Sequence, residues 1–317
     1  MKIICIGLIV NDIIARPVEK DCLEKDSSFL DTLILRTGGD AFNTAVNLSV
    51  LGEKVELIGK VGADPFGYEM IRKAEKWKVG TGHILLEPKR STSTSIVLIE
   101  PNGERHFLYY GGTNNLLSAK DVKTELFQEG DIVHLGSAMA LRGLSGAGLA
   151  GLFQEAKKKG CTTSMDVTND ETGKWLDNIE AALHDTDIFL PSDYEAIQIA
   201  GTDDLREIRE FFKRFGIKIL VVKRGKKGCY VTDFKDEFTI PPLNGNVIDT
   251  TGAGDAFVSG FLKGVARGYS VKQCAVLGNQ IAAACISELG AVDGVIKRYK
   301  DPLETQMLLD KIKQEIS

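Results

Sequence analysis

Short apolar runs alternate along the chain with longer segments in which apolar residues recur every three or four positions. Ile3-Ile4-Cys5-Ile6-Gly7 predicts a buried parallel strand, because a continuous apolar run has no polar side to turn toward water. Further strands are predicted at 54–58, 131–135, 188–190, 218–223 and 229–231, with another that ends at 165–166. Helices are predicted at 42–52, 68–77, 141–159 and 271–288 and from 192 and 257 onward, with a loop at 59–67. This alternation predicts an α/β fold, a doubly wound and mostly parallel sheet with helices on both faces.

Two regions depart from the alternation and predict antiparallel β-structure. The segments 95–99 and 105–110 flank Pro101-Asn102-Gly103-Glu104, whose Asn-Gly pair suits the positive φ of a hairpin turn. A further β piece is predicted at 32–35, after Ile13-Ile14. We therefore expect an α/β domain of residues 1–10, 37–90 and 113–317 beside a small inserted sheet of residues 11–36 and 91–112.

Near the C-terminal end, an apolar pair leads into a glycine-rich segment. Val247-Ile248 precedes Asp249-Thr250-Thr251-Gly252-Ala253-Gly254-Asp255-Ala256-Phe257, which predicts a strand, a tight loop and a helix. Gly252 and Gly254 let successive backbone N–H groups point at one spot at a helix N-terminus, where the dipole favours an anion. Asp255 would repel a bound phosphate unless it accepts a proton from an attacking hydroxyl. The loop therefore suggests phosphoryl transfer.

Other interpretations of this loop are weaker. The simplest is a plain turn, with Asp255 as an acid that complements the helix dipole. A dinucleotide-binding fingerprint needs a third glycine where Phe257 stands. The chain contains no Walker A sequence, since Gly225-Lys226-Lys227-Gly228 lacks both the spacing and the following Ser or Thr. Any nucleotide site is therefore of another type.

The stretch from Asp249 to Phe257 closely resembles the C-terminal signature of the PfkB (ribokinase-like) carbohydrate kinases. Gly38-Gly39-Asp40-Ala41-Phe42-Asn43 resembles the N-terminal signature of the same family, and the resemblance spans nearly the whole chain. It implies a ribokinase-like fold in which the small sheet is a lid over the sugar. By that resemblance Asp255 is the catalytic base, and the anion hole consists of the amides of Gly252, Ala253 and Gly254.

The resemblance also implies where the sugar binds. Asp12, which follows the first strand, is the acid that hydrogen-bonds sugar hydroxyls, and Gly39 and Asn43 are further sugar contacts. For Asp12 alone, a turn acid after a strand is the plain alternative. Asp40 and Phe42 are not the residues that most members carry, so the chain departs from the family within its substrate pocket.

The expected positions of the nucleotide and the metal ion follow from the same resemblance. ATP is expected at Ser192, Lys223, Gly225, Gly228, Asn279 and Ala283. Glu195 is expected to act on Mg²⁺ through water, although Ser192 stands where the family's Asn-x-x-Glu motif has Asn. The alternative for Glu195 is a plain acid at a helix N-terminus. Asp249 and Thr251 correspond to a site for a monovalent cation such as K⁺ in some members.

Composition excludes several functional classes. The formal net charge of the 317 residues is −5, so no basic field favours nucleic acid or anionic lipid. The six cysteines include no Cys-x-x-Cys and the four histidines show no ligand spacing, which argues against a disulfide framework or a zinc site. No apolar stretch approaches the roughly 18 residues of a membrane span, and the run at 1–10 does not form a signal peptide. We expect a cytoplasmic protein with small-molecule partners.

The resulting prediction is an ATP-dependent kinase that phosphorylates a hydroxyl of a small neutral sugar, such as ribose or fructose. Acidic sugars are disfavoured, because Gly111 and Asp170 stand where 2-keto-3-deoxygluconate kinases of the family carry arginines. A nucleoside kinase is the first alternative, since Phe42, Tyr109 and Tyr110 suit a base as well as a sugar. A catalytically silent sugar-binding regulator is the second. Lid-to-lid homodimers occur in the family and are a candidate assembly here.

Overall fold

Two sheets organise the computed structural model, which describes residues 1–243 and 245–315. The strands are β1 Ile3–Ile6, β2 Val10–Arg16, β3 Thr32–Gly38, β4 Val55–Gly62, β5 Gly80–Glu87, β6 Thr94–Ile99, β7 Arg105–Tyr110, β8 Ile132–Leu135, β9 Thr162–Met165, β10 Ile188–Phe189, β11 Ile219–Lys223, β12 Cys229–Thr232 and β13 Glu237–Ile240. The α-helices are α1 Asp40–Val50, α2 Pro65–Lys76, α3 Gly146–Lys158, α4 Leu176–Leu183, α5 Asp193–Ala200, α6 Leu205–Lys213, α7 Ala253–Ala266, α8 Val271–Cys285, α9 Asp293–Tyr299 and α10 Pro302–Glu315. Among the described residues, no helix combines the length and the apolar character that crossing a membrane requires.

The larger sheet confirms the predicted α/β fold. Its strands follow the order β13-β12-β11-β10-β9-β8-β1-β4-β5, and every neighbouring pair from β11 to β5 is parallel. Strands β12 and β13 extend one edge in antiparallel fashion. Along β1, Ile4 and Ile6 join one buried cluster, whereas Ile3 and Cys5 join another. Successive side chains thus enter two cores on opposite faces of the sheet, which is why the strand is apolar throughout.

The second sheet, called the small sheet below, contains four strands in the order β3-β2-β6-β7. Its β6–β7 pair is the predicted hairpin, while β2 pairs antiparallel with β3 and parallel with β6. Register partners point to the same side of a sheet, so the pairings define two faces. The face called the inner face carries Asp12, Arg36, Ser95, Tyr109 and Arg105.

The strand predicted directly before the glycine loop is wrong. Val247 and Ile248 lie outside every described strand and are 57% and 52% exposed. The backbone N–H groups of Ile248 and Asp249 instead donate to the carbonyl of Ile286, at 2.8 and 3.3 Å. Two long-range hydrogen bonds, and not strand pairing, therefore fix the residues that precede the glycine loop.

The loop predicted at 59–67 is also wrong over most of its length. Strand β4 continues to Gly62 and helix α2 already begins at Pro65, with Asp64 as N-cap accepting from the Gly67 N–H at 2.8 Å. Gly59 and Gly62 are part of strand β4, where pairing with β5 overrides their low strand propensity.

Helices α4, α6, α9 and α10 were not predicted, and further differences concern sheet edges and one helix start. The hydrophobic pattern does not predict β5 and β13, which lie at the two edges of the larger sheet. Edge strands are partly exposed and lack the continuous apolar runs of central strands. Helix α3 begins at Gly146, five residues later than predicted, because the buried Leu141 and Leu144 lie in irregular backbone before it.

A buried lysine joins α7 to the end of α1. Lys263 is 1% exposed, and its Nζ donates to the Leu51 carbonyl at 2.7 Å and pairs with Glu53 Oε1 at 2.5 Å. Burial lowers the pKa of Lys263, and the hydrogen bond to Glu53 acts in the opposite direction. Because Leu51 is the C-cap of α1, the ammonium satisfies a carbonyl that the helix leaves unpaired.

We expect the Lys263→Met variant to lose about 2–4 kcal/mol of unfolding free energy, because among the described residues it leaves the Glu53 carboxylate with Arg267, at 3.1 Å, as its one ion-pair partner. Urea denaturation checks this. The matched control is Lys297→Met, which breaks an exposed ion pair with Glu288 and should cost less than about 1 kcal/mol. Equal losses of unfolding free energy for the two variants would show that the buried ion pair stabilises the fold no more than the exposed one.

Candidate active site

The predicted N- and C-terminal signatures meet where α1 packs against α7. Asn43 lies in the first turn of α1 and Asp255 in the first turn of α7. The Asn43 Nδ2 donates to Asp255 Oδ2 at 2.7 Å, a contact between residues 212 positions apart in the chain. Both side chains are buried, and Asn43 Oδ1 has no hydrogen-bond partner among the described residues. That oxygen remains available to a ligand hydroxyl.

Asp255 is a carboxylate whose protonation changes close to neutral pH. Burial raises its pKa to about 6; the hydrogen bond from Asn43 opposes this, the charge of Asp166 adds to it, and Lys223 opposes it. A carboxylate with this pKa is ionised at neutral pH but binds a proton far more readily than an exposed aspartate. This is the property that a general base needs.

Two more acids lie within electrostatic reach of Asp255. Burial and the Asp255 charge raise the pKa of Asp12 to about 7. Burial, followed by the charges of Asp255 and Asp166, raises the pKa of Asp40, which accepts a short hydrogen bond from the Ser137 hydroxyl. Sequence reasoning marked Asp40 only as a departure from the family; the structure places it among the acids.

Gly38 and Gly39, which precede α1, lie so close to other residues that neither position has room for a side chain. A Cβ on Gly38 would collide with the Asp12 carboxylate, and a Cβ on Gly39 would collide with the backbone carbonyl of Leu8. Gly39 also has a φ of +92°, which disfavours any side chain. These glycines therefore allow the small sheet and the start of α1 to lie close enough for Asp12 to face Asp255.

The loop at 252–254 begins α7 with a left-handed residue. Gly252 has a φ of +74°, and a Cβ there would lie 2.6 Å from the Cβ and the carbonyl of Ala291. The Ala253 N–H donates to the Thr250 carbonyl at 3.2 Å, so one of the three predicted anion-hole amides is engaged within the loop. The amides of Gly252 and Gly254 have no acceptor within the part of the chain that the structure describes. They are free to bind an anion at this helix N-terminus.

Lys223 stands beside this loop. Its Nζ lies 3.6 Å from the position that a Cβ would take on Gly254. The same ammonium lies 2.7 and 2.6 Å from the two oxygens of Asp166, whose pKa burial raises against the opposing effect of Lys223. Asp166 is a site residue that sequence reasoning missed. Its available signal was position, since it directly follows a predicted strand at the edge where ligands of parallel sheets bind.

Ser192 and Glu195 form a reciprocal cap at the start of α5. Ser192 N donates to Glu195 Oε2 at 2.6 Å, and Glu195 N donates to Ser192 Oγ at 3.3 Å. Burial raises the pKa of Glu195, Lys223 opposes the rise, and Asp166 adds to it. Glu195 therefore does cap helix α5, as the plain alternative expected. The same carboxylate also lies close enough to Lys223 and Asp166 for their charges to change its pKa.

Two of the other predicted nucleotide residues, Gly228 and Asn279, lie against the end of β13 and the segment that follows it. A Cβ on Gly228, whose φ is +78°, would collide with the Ile240 carbonyl. The Asn279 Nδ2 donates to the Pro241 carbonyl at 2.9 Å, so its amide nitrogen is engaged in binding this segment. Ala283 follows one turn later on α8. Gly225 has a φ of +50° in the turn between β11 and β12, with open space where a side chain would be.

Asp249 and Thr251 are in contact with each other and with a cation of the chain. Thr251 donates to Asp249 Oδ1 from its backbone N–H at 3.0 Å and from its hydroxyl at 2.8 Å, and Gly290 N donates to Oδ2 at 3.0 Å. Arg105 Nη1 lies 3.1 Å from Asp249 Oδ1. Burial pushes the pKa of Asp249 up, but these hydrogen bonds and the Arg105 charge outweigh it and lower the pKa.

One family model and several curated proteins match most of the chain. Residues 1–298 match the family model described as "pfkB family carbohydrate kinase". An "Uncharacterized sugar kinase" of Archaeoglobus fulgidus is 32% identical over 250 residues, which are 79% of this chain and 98% of that protein. "Fructokinase-2" of Oryza sativa subsp. japonica is 28% identical over 275 residues, 80% of either chain.

Solved structures share the fold at low sequence identity. A fructokinase double mutant of Vibrio cholerae O395 with fructose, ADP and a potassium ion bound is 22% identical, with a TM-score of 0.79 covering 93% of this chain and 94% of that one. A putative Ribokinase II of E. coli in complex with ATP and Mg²⁺ is 21% identical, with a TM-score of 0.81 covering 98% and 99%.

The proton affinity of Asp255 can be tested directly. In the Asn43→Leu variant the carboxylate loses its hydrogen-bond donor, so we expect its titration midpoint to rise from about pH 6 by about one pH unit. The measurement is ¹³C NMR titration of labelled aspartate carboxyls, with the Asp255 signal assigned by its loss in Asp255→Asn. A parent midpoint near the ordinary aspartate value of about 4 would contradict a raised pKa for Asp255.

Proposed function

Because this chain belongs to the pfkB family of carbohydrate kinases, we propose that it uses ATP to phosphorylate a hydroxyl of a small neutral sugar, ribose-like or fructose-like, with Asp255 as the base. The observation that carries the assignment is the 2.7 Å bond from Asn43 to a buried Asp255 with a pKa near 6. It joins the two family signatures around a carboxylate suited to accept a proton at neutral pH.

In the proposed mechanism, Asp255 takes the proton of the sugar hydroxyl as that oxygen attacks the γ-phosphorus, and the bond from this phosphorus to the β,γ-bridging oxygen breaks to release ADP. Asn43 keeps the carboxylate oriented and favours its ionised form, since its N–H donates a stronger hydrogen bond to the charged carboxylate than to the protonated acid. The amides of Gly252 and Gly254, with Ala253 between them, stabilise charge that develops on the phosphoryl oxygens. The buried position of Asp255 excludes competing water.

The sign of the local charge supports a neutral acceptor. Asp12, Asp40 and Asp255 lie together, and a phosphorylated or carboxylated sugar at this position would be repelled. Asp12, with Asn43 Oδ1 and the backbone near Gly39, offers acceptors to sugar hydroxyls. Hydroxyl donors also satisfy carboxylates that burial has left short of partners.

ATP and Mg²⁺ are assigned to the sheet edge beyond β9, β10 and β11. Glu195 and Asp166 share a single ammonium, Lys223, and this excess of buried carboxylate over cation fits a divalent ion held by Glu195 through water. Bound with ATP, Mg²⁺ supplies positive charge that offsets the charge of the phosphates. Lys223 lies beside Gly254 and would face the phosphates. The rest of the nucleotide is assigned to Ser192, Gly225, Gly228, Asn279 and Ala283.

We assign the small sheet, within residues 11–36 and 91–112, as the lid. Tyr109 lies on its inner face and is 46% exposed; partial burial raises the Tyr109 pKa, and the charges of Asp40 and Asp12 add to the rise, which supports a position of the phenol near the proposed sugar. A ring in that position could also stack on a base, so a nucleoside is the second acceptor class. The measurement below separates the two.

The outer face of the small sheet supports a homodimer. Leu33 and Leu35 of β3 and Leu108 of β7 are 65%, 46% and 58% exposed, and all point away from the inner face. Apolar residues grouped on one exposed face commonly mark an interface between proteins. We assign this face to a second copy of the chain.

The Asp255→Asn variant should lose about 100-fold or more in turnover while it still binds the sugar, because it keeps the shape of the site but not the base. The measurement is ADP release from Mg·ATP with neutral sugars, sugar phosphates, sugar acids and nucleosides. The exposed Asp203→Asn is the matched control and should match the parent. Turnover by Asp255→Asn within a few-fold of the parent would remove the assigned role, and stimulation by sugar phosphates alone would overturn the neutral acceptor.

A charged residue on the outer face should dissociate the homodimer. We expect the Leu35→Glu variant to sediment as a monomer at concentrations where the parent is a dimer, since burying an unpaired carboxylate is costly. Analytical ultracentrifugation measures this. The exposed Leu303→Glu, on α10, is the matched control and should leave the mass unchanged. A monomeric parent would contradict the assignment.

A further inference from the structure

A lid arginine reaches the loop that leads into the proposed anion hole. Arg105 is the first residue of β7, and its Nη1 lies 3.1 Å from Asp249 Oδ1 and 3.3 Å from the Thr251 hydroxyl. The contact joins residues 144 positions apart. It bridges the small sheet and the larger domain, immediately before Gly252.

Asp249 needs a positive charge nearby. It is 4% exposed, and its carboxylate accepts hydrogen bonds from Thr251 and from Gly290 N. Burying a carboxylate this deeply costs free energy when no cation lies beside it. Within residues 1–243 and 245–315, Arg105 is the one cation that forms an ion pair with it.

The same two groups are those that the family resemblance assigns to a monovalent cation, and a potassium ion is present in the Vibrio cholerae fructokinase structure. In this chain the guanidinium already approaches both Asp249 Oδ1 and the Thr251 hydroxyl. A K⁺ ion at these oxygens would have to displace Arg105, since two cations cannot share them without strong repulsion. The residues present therefore do not fit a resident monovalent cation.

We propose that Arg105 supplies from the lid the positive charge that Asp249 requires, so that this chain works without a monovalent cation. Arg105 is a positioning residue. It orients Asp249, Asp249 holds Thr251 through two hydrogen bonds, and Thr251 precedes Gly252 of the anion hole. The consequence for turnover rests on the proposed kinase function, whereas the occupancy of the Asp249 site does not.

The second lid arginine near this region does not replace Arg105. Arg36 Nε pairs with Asp293 Oδ2 at 3.9 Å and lies 3.4 Å from the position that a Cβ would take on Gly290. It faces the neighbouring carboxylate, and its distance to Asp293 is that of a weak pair. Loss of Arg105 should therefore leave a vacancy that a small cation can enter.

The test is a chloride-salt titration of the full chain and its Arg105→Met variant, with tetramethylammonium as the reference cation and melting temperature as the first readout. Without substrate or nucleotide, K⁺ should leave the parent unchanged and raise the melting temperature of the variant by about 2 °C or more. Arg16→Met, an exposed arginine of the same sheet, controls for the charge of the lid and should behave like the parent.

Turnover is the second readout. In tetramethylammonium, Arg105→Met should lose about tenfold or more, with part of that loss restored by K⁺, because a mobile ion restores charge but not the link to the lid. If Arg105→Met does not fold, the Arg105→Lys variant takes its place in the test. Its melting temperature and turnover should not change with K⁺. K⁺ stabilising or activating the parent, or failing to affect Arg105→Met, would overturn the proposal. Failure of the kinase function would abolish turnover in every arm but leave the melting result unchanged.

Discussion

The site depends on burying several carboxylates around one ammonium. Asp40, Asp166, Glu195 and Asp255 all have pKa values that burial raises, and Lys223 opposes the rise for each of them. Burying such a cluster costs free energy when no ligand is bound. That cost falls when hydroxyl donors and cations bind to the carboxylates. The arrangement therefore supports the proposed neutral sugar and the proposed metal-bound nucleotide.

The scaffold must hold these groups together against their mutual repulsion. Parallel strands deliver Asp166 and Ser192 to one edge of the larger sheet, and α1 brings Asn43 to α7. Lys263 bonds α7 to the C-cap of α1, on the far side of the same helix pair. The packing of two helices thus fixes the distance on which the proposed base depends.

Where the chain departs from the family pattern, other side chains contact the unusual residues or their neighbours. Asp40 accepts a hydrogen bond from Ser137, which satisfies one oxygen of an otherwise exceptional buried acid. Ser192 keeps the cap of α5 and so orients Glu195, although it lacks the amide of the family motif. Arg105 brings a guanidinium to Asp249. These residues lie in the regions proposed for the substrate, the metal ion and the anion hole, while the core of the sheet follows the expected pattern.

The sequence by itself determined the features that depend on neighbouring residues. The buried central strands and the β6–β7 hairpin follow from local patterns, and the structure confirms both. The half-exposed edge strand β5 and the glycine-containing end of β4 were not predicted, because sheet pairing overrides weak local preference. Only the tertiary structure decided the bond from Asn43 to Asp255, the role of Asp166 beside Lys223, and the pairing of Arg105 with Asp249. These contacts join distant parts of the chain, and their distances and pKa values depend on packing and burial that no local pattern encodes.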